Sequence, residues 1–163
     1  MKKTTPSQEN YIQQIYRMLE NGRPVRPSRL ARKLGVSRPS ATKFVATLVR
    51  DGFVLHQSHG DIRLTKKGKA LGEAIVRRDE CLTKLLVGIC GMVPEAAAPE
   101  VHRLEHVISD DVLARLEILV GFAGSSSAWL KRLHHRIEKT LSTAPTPESI
   151  QVGSSRIHQG TIE

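Results

Sequence analysis

Apolar positions recur at helical spacing along most of this chain and alternate in only one short stretch. Residues 8–21 place Tyr11, Ile12, Ile15, Met18 and Leu19 on one face, which predicts a helix closed by Asn21-Gly22, with Ser7 positioned to cap its start. After the break GRPVRP, a second short helix is predicted from Ser28 to Leu34, with Leu30, Ala31 and Leu34 inward. Gly35-Val36-Ser37 reads as a turn in which Gly35 is free to take positive φ and Ser37 can cap the next helix. That third helix, Pro39 to Arg50, buries Ala41, Phe44, Val45 and Leu48 and closes at Asp51-Gly52. Alternation then sets in. Phe53-Val54-Leu55 and Ile62-Arg63-Leu64-Thr65 flank a turn at 57–61, the pattern of a hairpin. A short helix, a glycine turn, a longer helix and a hairpin together make a winged helix-turn-helix.

The rest of the chain is helical by period. A long helix is expected from Lys66 to about Gly88, with Ala70, Leu71, Ala74, Ile75, Leu82, Leu85 and Leu86 on its apolar side. Pro94 opens another that runs to Ile108, Pro being tolerated in a first turn. Ser109-Asp110-Asp111 caps the next, which ends near Gly121 with Val112, Leu113, Leu116, Leu119 and Val120 inward. A last helix, Ala128 to Leu141, carries Trp129, Leu130, Leu133 and Ile137. From Ser142 the chain is rich in Pro, Ser, Thr and Gly without periodicity, the composition of a disordered tail. The fold expected is mostly α: an N-terminal winged helix-turn-helix over about 1–70, an all-helical domain over about 71–141, and a tail over 142–163.

Charge gives the first module a partner. The 163 residues carry a formal +9, but residues 1–70 hold +11 and the remainder −2. A basic module on a near-neutral body points to a polyanion, and on a winged helix to double-stranded DNA. No apolar run approaches the roughly 18 residues of a membrane span. No apolar stretch of signal-peptide type comes after the basic start. Two cysteines, Cys81 and Cys90, make no disulfide framework or zinc knuckle and read as core residues of a reduced, cytoplasmic protein. The groove-facing residues are Ser37, Arg38, Pro39, Ser40, Thr42 and Lys43 at the start of the third helix, with Arg63 and His59 on the wing. A face that is merely capped and solvated is the alternative, and the charge asymmetry weighs against it. His134-His135 sit among Lys131, Arg132 and Arg136 and read as a solvated basic face.

A second constellation is His102-x-x-Glu105-His106. Positions i, i+3 and i+4 share one helix face, so two imidazoles and a carboxylate can converge on one ion, whereas burying them unpaired would be costly. A solvated polar face can have the same spacing. The string also reads as the H-x-x-E-H of an inverted zinc peptidase, with Glu105 as base. Against that stand the short chain, the want of an evident third-ligand helix, and a winged helix that peptide hydrolysis would leave unexplained.

Taken together, SQENYIQQIY, LARKLGVSRPSATKFVATLVRDGFV, LTKKGKALGEAIVRRDECLTKLL and VHRLEHVISDDVLARL resemble the diphtheria toxin repressor family of iron- and manganese-dependent bacterial repressors, over residues 7 to about 121. The resemblance implies a homodimer on operator DNA, activated by a divalent ion, and the shorter two-domain type of the family. It carries the metal ligands onto Asn10, Asp79, His102, Glu105 and His106. Only Glu105 and His106 match the family's residues. Asn10 stands for Met or Asp, Asp79 for His, and His102 for Cys or Glu. Gln13 stands where manganese-type members have a ligating Glu, and Thr83 and Ala98 where iron-type members have Glu and His. The implied donors are nitrogen and oxygen without sulfur, which suits Mn(II) or Fe(II), and also Zn(II). These departures also leave room for a metal-independent winged-helix regulator with a degenerate site.

Overall fold

The computed structural model describes residues 4–56, 61–124 and 127–143. Its elements are α1 (Pro6–Glu20), α2 (Pro27–Leu34), α3 (Arg38–Arg50), β1 (Val54–Leu55), β2 (Arg63–Leu64), α4 (Lys66–Thr83), a π-helical segment (Lys84–Ile89), α5 (Pro94–Leu104), α6 (Asp110–Gly124) and α7 (Ser127–Thr143). The hairpin turn with His59 and the tail from residue 144 lie outside the described residues.

The winged helix forms for the reasons its sequence suggests. Ile12, Ile15, Leu30, Val45, Leu48 and Ile62 are fully buried in one cluster, and the Tyr11 ring stacks on Phe44 with centroids 4.2 Å apart. Gly35 takes φ 66° at the end of α2, and Ser37 caps α3 by accepting from the Ser40 amide. In the wing, Val54 pairs with Leu64 and Leu55 with Arg63, antiparallel. The Ile62 amide donates to the Val25 carbonyl at 2.7 Å, which stitches the wing to the loop before α2.

Several boundaries differ from expectation. Thr5, not Ser7, caps α1. Its hydroxyl accepts from the Gln8 amide while the Gln8 side chain accepts from the Thr5 amide, a reciprocal pair that Ser7 cannot make from inside the first turn. The long helix does not run to Gly88 in one register. It passes into the π segment, where the Cys90 amide reaches back to the Leu85 carbonyl. The expected helix to Ile108 stops at Leu104, whose carbonyl accepts from both Val107 and Ile108.

Two predicted faces also change. On α4, Ala70 is exposed, and the buried positions include Gly68 and Gly72, which period counting over large apolar residues passes over. A Cβ on Gly68 would stand 2.0 Å from the Phe53 carbonyl oxygen, and one on Gly72 2.8 Å from Tyr16 Cβ. These glycines let the wing and α1 lie directly against the α4 backbone. On α6, Leu113 is buried, but Val112 and Leu119 are exposed together with Ile118 at 73% and nearby Val107 at 76%. The helix is apolar over more of its circumference than this chain covers. Cys81 is buried, which pushes its thiol pKa up, and neither Cys81 nor Cys90 is in a disulfide. His134 is not simply solvated: it hydrogen-bonds the Ile89 carbonyl at 3.0 Å and joins α7 to the end of the π segment.

The α1/α4 approach yields a test. Gly72→Ala forces a methyl against the Tyr16 ring and is expected to cost about 1–3 kcal/mol. Urea denaturation should show a lowered midpoint with the slope little changed.

Candidate metal centre and nucleic-acid interface

The centre is built where α5 ends. Glu105 comes just after the last residue of α5 but keeps helical dihedrals, φ −59° and ψ −25°, and its amide still bonds the Val101 carbonyl. His102, Glu105 and His106 therefore keep the phase of one helix face although two of them lie in the turn beyond it. One ligand atom from each lies within 4.8 Å of the others. Ser109 then accepts from the Val112 amide and starts α6.

The carboxylate of Glu105 is the buried member, at 1% exposure. Its Oε2 accepts from Gln13 Nε2 at 3.1 Å, and its Oε1 lies 2.9 Å from His102 Nδ1. Burial pushes its pKa above the ordinary carboxylate range. The His102 hydrogen bond and the His106 ring oppose this, and the nearby Asp79 charge adds to it.

His106 is fixed from the other side. Its Nδ1 lies 2.7 Å from Glu9 Oε2 on α1, and a carboxylate only accepts, so Nδ1 carries the proton. In the neutral ring the free lone pair is then on Nε2, on the side of Glu105. Nε2 is buried without a hydrogen-bond partner among the described residues, 3.6 Å from Glu105 Oε1. His106 Nε2 and Glu105 Oε1 are thus close enough for one cation to be met by both. The residues thus fit a divalent ion held by nitrogen and oxygen.

The other residues considered for the ion are placed differently. Asp79 is near enough to act on Glu105, but its own carboxylate pairs with Arg17 of α1. Asn10 is half-buried on α1, and Thr83 is exposed. Gln13 binds Glu105 as an amide donor. Glu9 was missed by sequence reasoning. No spacing connects it to His106, 97 residues away, and only the packing of α1 against the end of α5 joins them.

The nucleic-acid face is open. Ser37, Arg38, Pro39, Ser40, Thr42 and Lys43 are all exposed at the start of α3, as is Arg63 on β2. Thr42 donates to the Arg38 carbonyl and Ser37 and Ser40 share a 2.7 Å hydroxyl contact, so the polar side chains are held at the helix start. On the same module, Arg17, Arg23, Arg29, Arg32 and Lys33 line a cavity of about 830 Å³ between the end of α1 and α2, with no acidic residue among those that line it. Only the regional charge hinted at this basic groove. No described helix is long and apolar enough to cross a membrane.

Fold and site together define a winged-helix protein with a helical second module that gathers metal-ligating side chains. Residues 3–61 match the family model described as iron dependent repressor, N-terminal DNA binding domain, and residues 65–127 the one described as iron dependent repressor, metal binding and dimerisation domain. The HTH-type transcriptional regulator MntR of Bacillus pumilus is 36% identical over 140 residues, which cover 84% of this chain and 96% of that protein. MntR of Bacillus subtilis is 35% identical over 137 residues with the same shares. Among solved structures, the manganese regulator SloR matches with a TM-score of 0.64 and 27% identity, over 73% of this chain and 55% of that one. A manganese-dependent transcriptional repressor in complex with manganese matches with a TM-score of 0.64 and 31% identity, over 71% of this chain and 53% of that one. The chain therefore spans nearly the whole of the MntR relatives and about half of these two structures.

The chain belongs to the iron-dependent repressor family. Its members are metal-dependent DNA-binding transcriptional repressors, not enzymes, so the H-x-x-E-H string is not a peptidase motif here.

Proposed function

We propose that this chain is a cytoplasmic repressor that binds operator DNA as a homodimer when a divalent ion, Mn(II) or Fe(II), with Zn(II) as a third suitable ion, occupies the His102/Glu105/His106 centre, and that it controls metal-homeostasis genes. The observation that carries this reading is the unpartnered, buried Nε2 of His106 facing Glu105 Oε1. His102, Glu105 and His106 would hold the ion, with Asn10 of α1 as a further oxygen donor. Asp79, paired to Arg17, is left out of that set. When bound, the ion supplies positive charge that offsets the buried Glu105 carboxylate.

The chain's own residues then explain how occupancy reaches DNA. Glu9 holds the His106 tautomer, the usual arrangement by which a carboxylate orients a ligating imidazole. Glu9 and Gln13 lie on α1, the helix that also supplies Tyr11, Ile12 and Ile15 to the winged-helix core. The charge state of the centre therefore enters the free energy of the α1 contact, and with it the position of α3. A single chain has one recognition helix. A symmetric pair has two, and its affinity depends on whether they stand at the half-site spacing of about one helical turn. The exposed apolar side chains Val107, Val112, Ile118 and Leu119 support a two-fold contact through the second domain, taken as about 71–141 with the winged helix over about 1–70. Ser37, Arg38, Pro39, Ser40, Thr42, Lys43 and Arg63 are assigned to DNA.

The deciding experiment is operator binding with and without chelator. Wild-type protein is expected to lose operator affinity in chelator. Equal binding in both conditions would favour the metal-independent regulator, a reading that the replacements at Asn10, Gln13, Asp79 and His102 motivate. His106→Ala should remove the metal response while leaving basal DNA affinity and the fold nearly intact, with ion affinity lowered by on the order of 10–100-fold or more.

On the DNA side, Lys43→Ala is expected to weaken operator binding with assembly unchanged. A loss of about 1–3 kcal/mol at one base position indicates base readout, whereas a uniform loss with a salt slope shallower by about one indicates a phosphate contact. For assembly, sedimentation at micromolar concentration should return twice the 18.1 kDa chain mass.

A further inference from the structure

One stripe of α1 serves the whole centre. Glu9, Gln13 and Arg17 are spaced four apart and so share a helix face. Each engages a different residue of the second module: Glu9 takes His106, Gln13 takes Glu105, and Arg17 takes Asp79. The stripe thus presents an acid, a neutral amide and a permanent cation in that order.

We infer that Arg17 acts as the second cation of this centre, pairing the Asp79 carboxylate and so limiting the site to one divalent ion per chain. The inference rests on the metal-centre reading above and deepens it.

Charge balance carries the first part of the case. Glu9, Asp79 and Glu105 bring three negative charges to the region, and the two imidazoles bind an ion in neutral form. The guanidinium and a single divalent ion neutralise them. A second divalent ion would leave the region with two uncompensated positive charges around a Glu105 carboxylate that is 1% exposed, in a setting of weak screening.

Donor availability carries the second part. Arginine is a permanent cation, and its pairing with Asp79 occupies that carboxylate. Glu105 Oε2 is meanwhile held by an amide donor, which brings no further negative charge to recruit another cation. The pair also joins α1 to α4 in the absence of any ion. Metal then governs the α1 contact at the end of α5 alone, rather than the whole stripe.

The test is a Mn(II) titration of the full chain, monitored by the electron paramagnetic resonance signal of the free hydrated ion, with melting in chelator confirming that each variant folds. Wild type should saturate at one ion per chain. Arg17→Gln frees Asp79 and should take up more than one, and Arg17→Lys, which keeps the charge, should stay at one. Asp79→Asn should keep one ion with affinity changed by less than about tenfold, against the 10–100-fold loss expected when a group that supports coordination is removed. Adding Asp79→Asn to Arg17→Gln should return the count to one. Two ions in wild type, a count of one in Arg17→Gln, or a collapse of affinity in Asp79→Asn would each overturn the inference while leaving the metal centre standing. Failure of wild type to bind any Mn(II), Fe(II) or Zn(II) would overturn the metal-centre reading itself and the inference with it. Should Arg17→Gln not fold, the Asp79→Asn affinity and the wild-type count decide alone.

Discussion

Burial of the Glu105 carboxylate is the constraint around which this molecule is arranged. A charged group at 1% exposure is costly unless its lone pairs are met, and here no single cation meets them. Instead the Gln13 amide and the His102 ring divide the task, one from α1 and the other from the end of α5. The compensation is incomplete as it stands: the proton affinity of Glu105 is raised, and one buried nitrogen has no partner. An arrangement left short of positive charge in this way is suited to respond to a cation.

In the proposed function that shortage is coupled to DNA recognition because one helix belongs to both systems. α1 fills the winged-helix core with Tyr11, Ile12, Ile15 and Met18, and turns its polar stripe toward the end of α5 and toward α4. Gly72 lets the α1 backbone approach α4 closely enough for Arg17 and Asp79 to meet beside the Tyr16 contact. The same helix therefore transmits in either direction, and the free energy available for switching is limited to the difference in ion affinity between its positions. For this chain, membership in the iron-dependent repressor family explains why a cation-poor cluster and a basic winged helix occur on one polypeptide.

Local pattern alone determined much of this. The winged helix was legible because every one of its signals is short-range: helical spacing of Ile12 and Ile15, the Gly35 turn, the Ser37 cap and the alternation around 53–55 and 62–65. The His102/Glu105/His106 convergence was legible for the same reason, since an α-helical phase over five residues fixes relative direction without help from elsewhere. The regional charge of +11 against −2 assigned the polyanion to the first module.

Tertiary structure decided what depends on contacts between segments far apart. Glu9 meets His106 across 97 residues, and Arg17 meets Asp79 across 62. Nothing in a local period can foresee either, so Asp79 reads as a ligand by position yet stands as an ion-pair partner. Buried Gly68 and Gly72 escaped a hydrophobic count because their contribution is the absence of a side chain where another backbone approaches. The outward Val112 and Leu119 escaped it for the opposite reason. Periodicity tells that an apolar side chain seeks cover, and only the packed chain tells whether its own elements supply that cover.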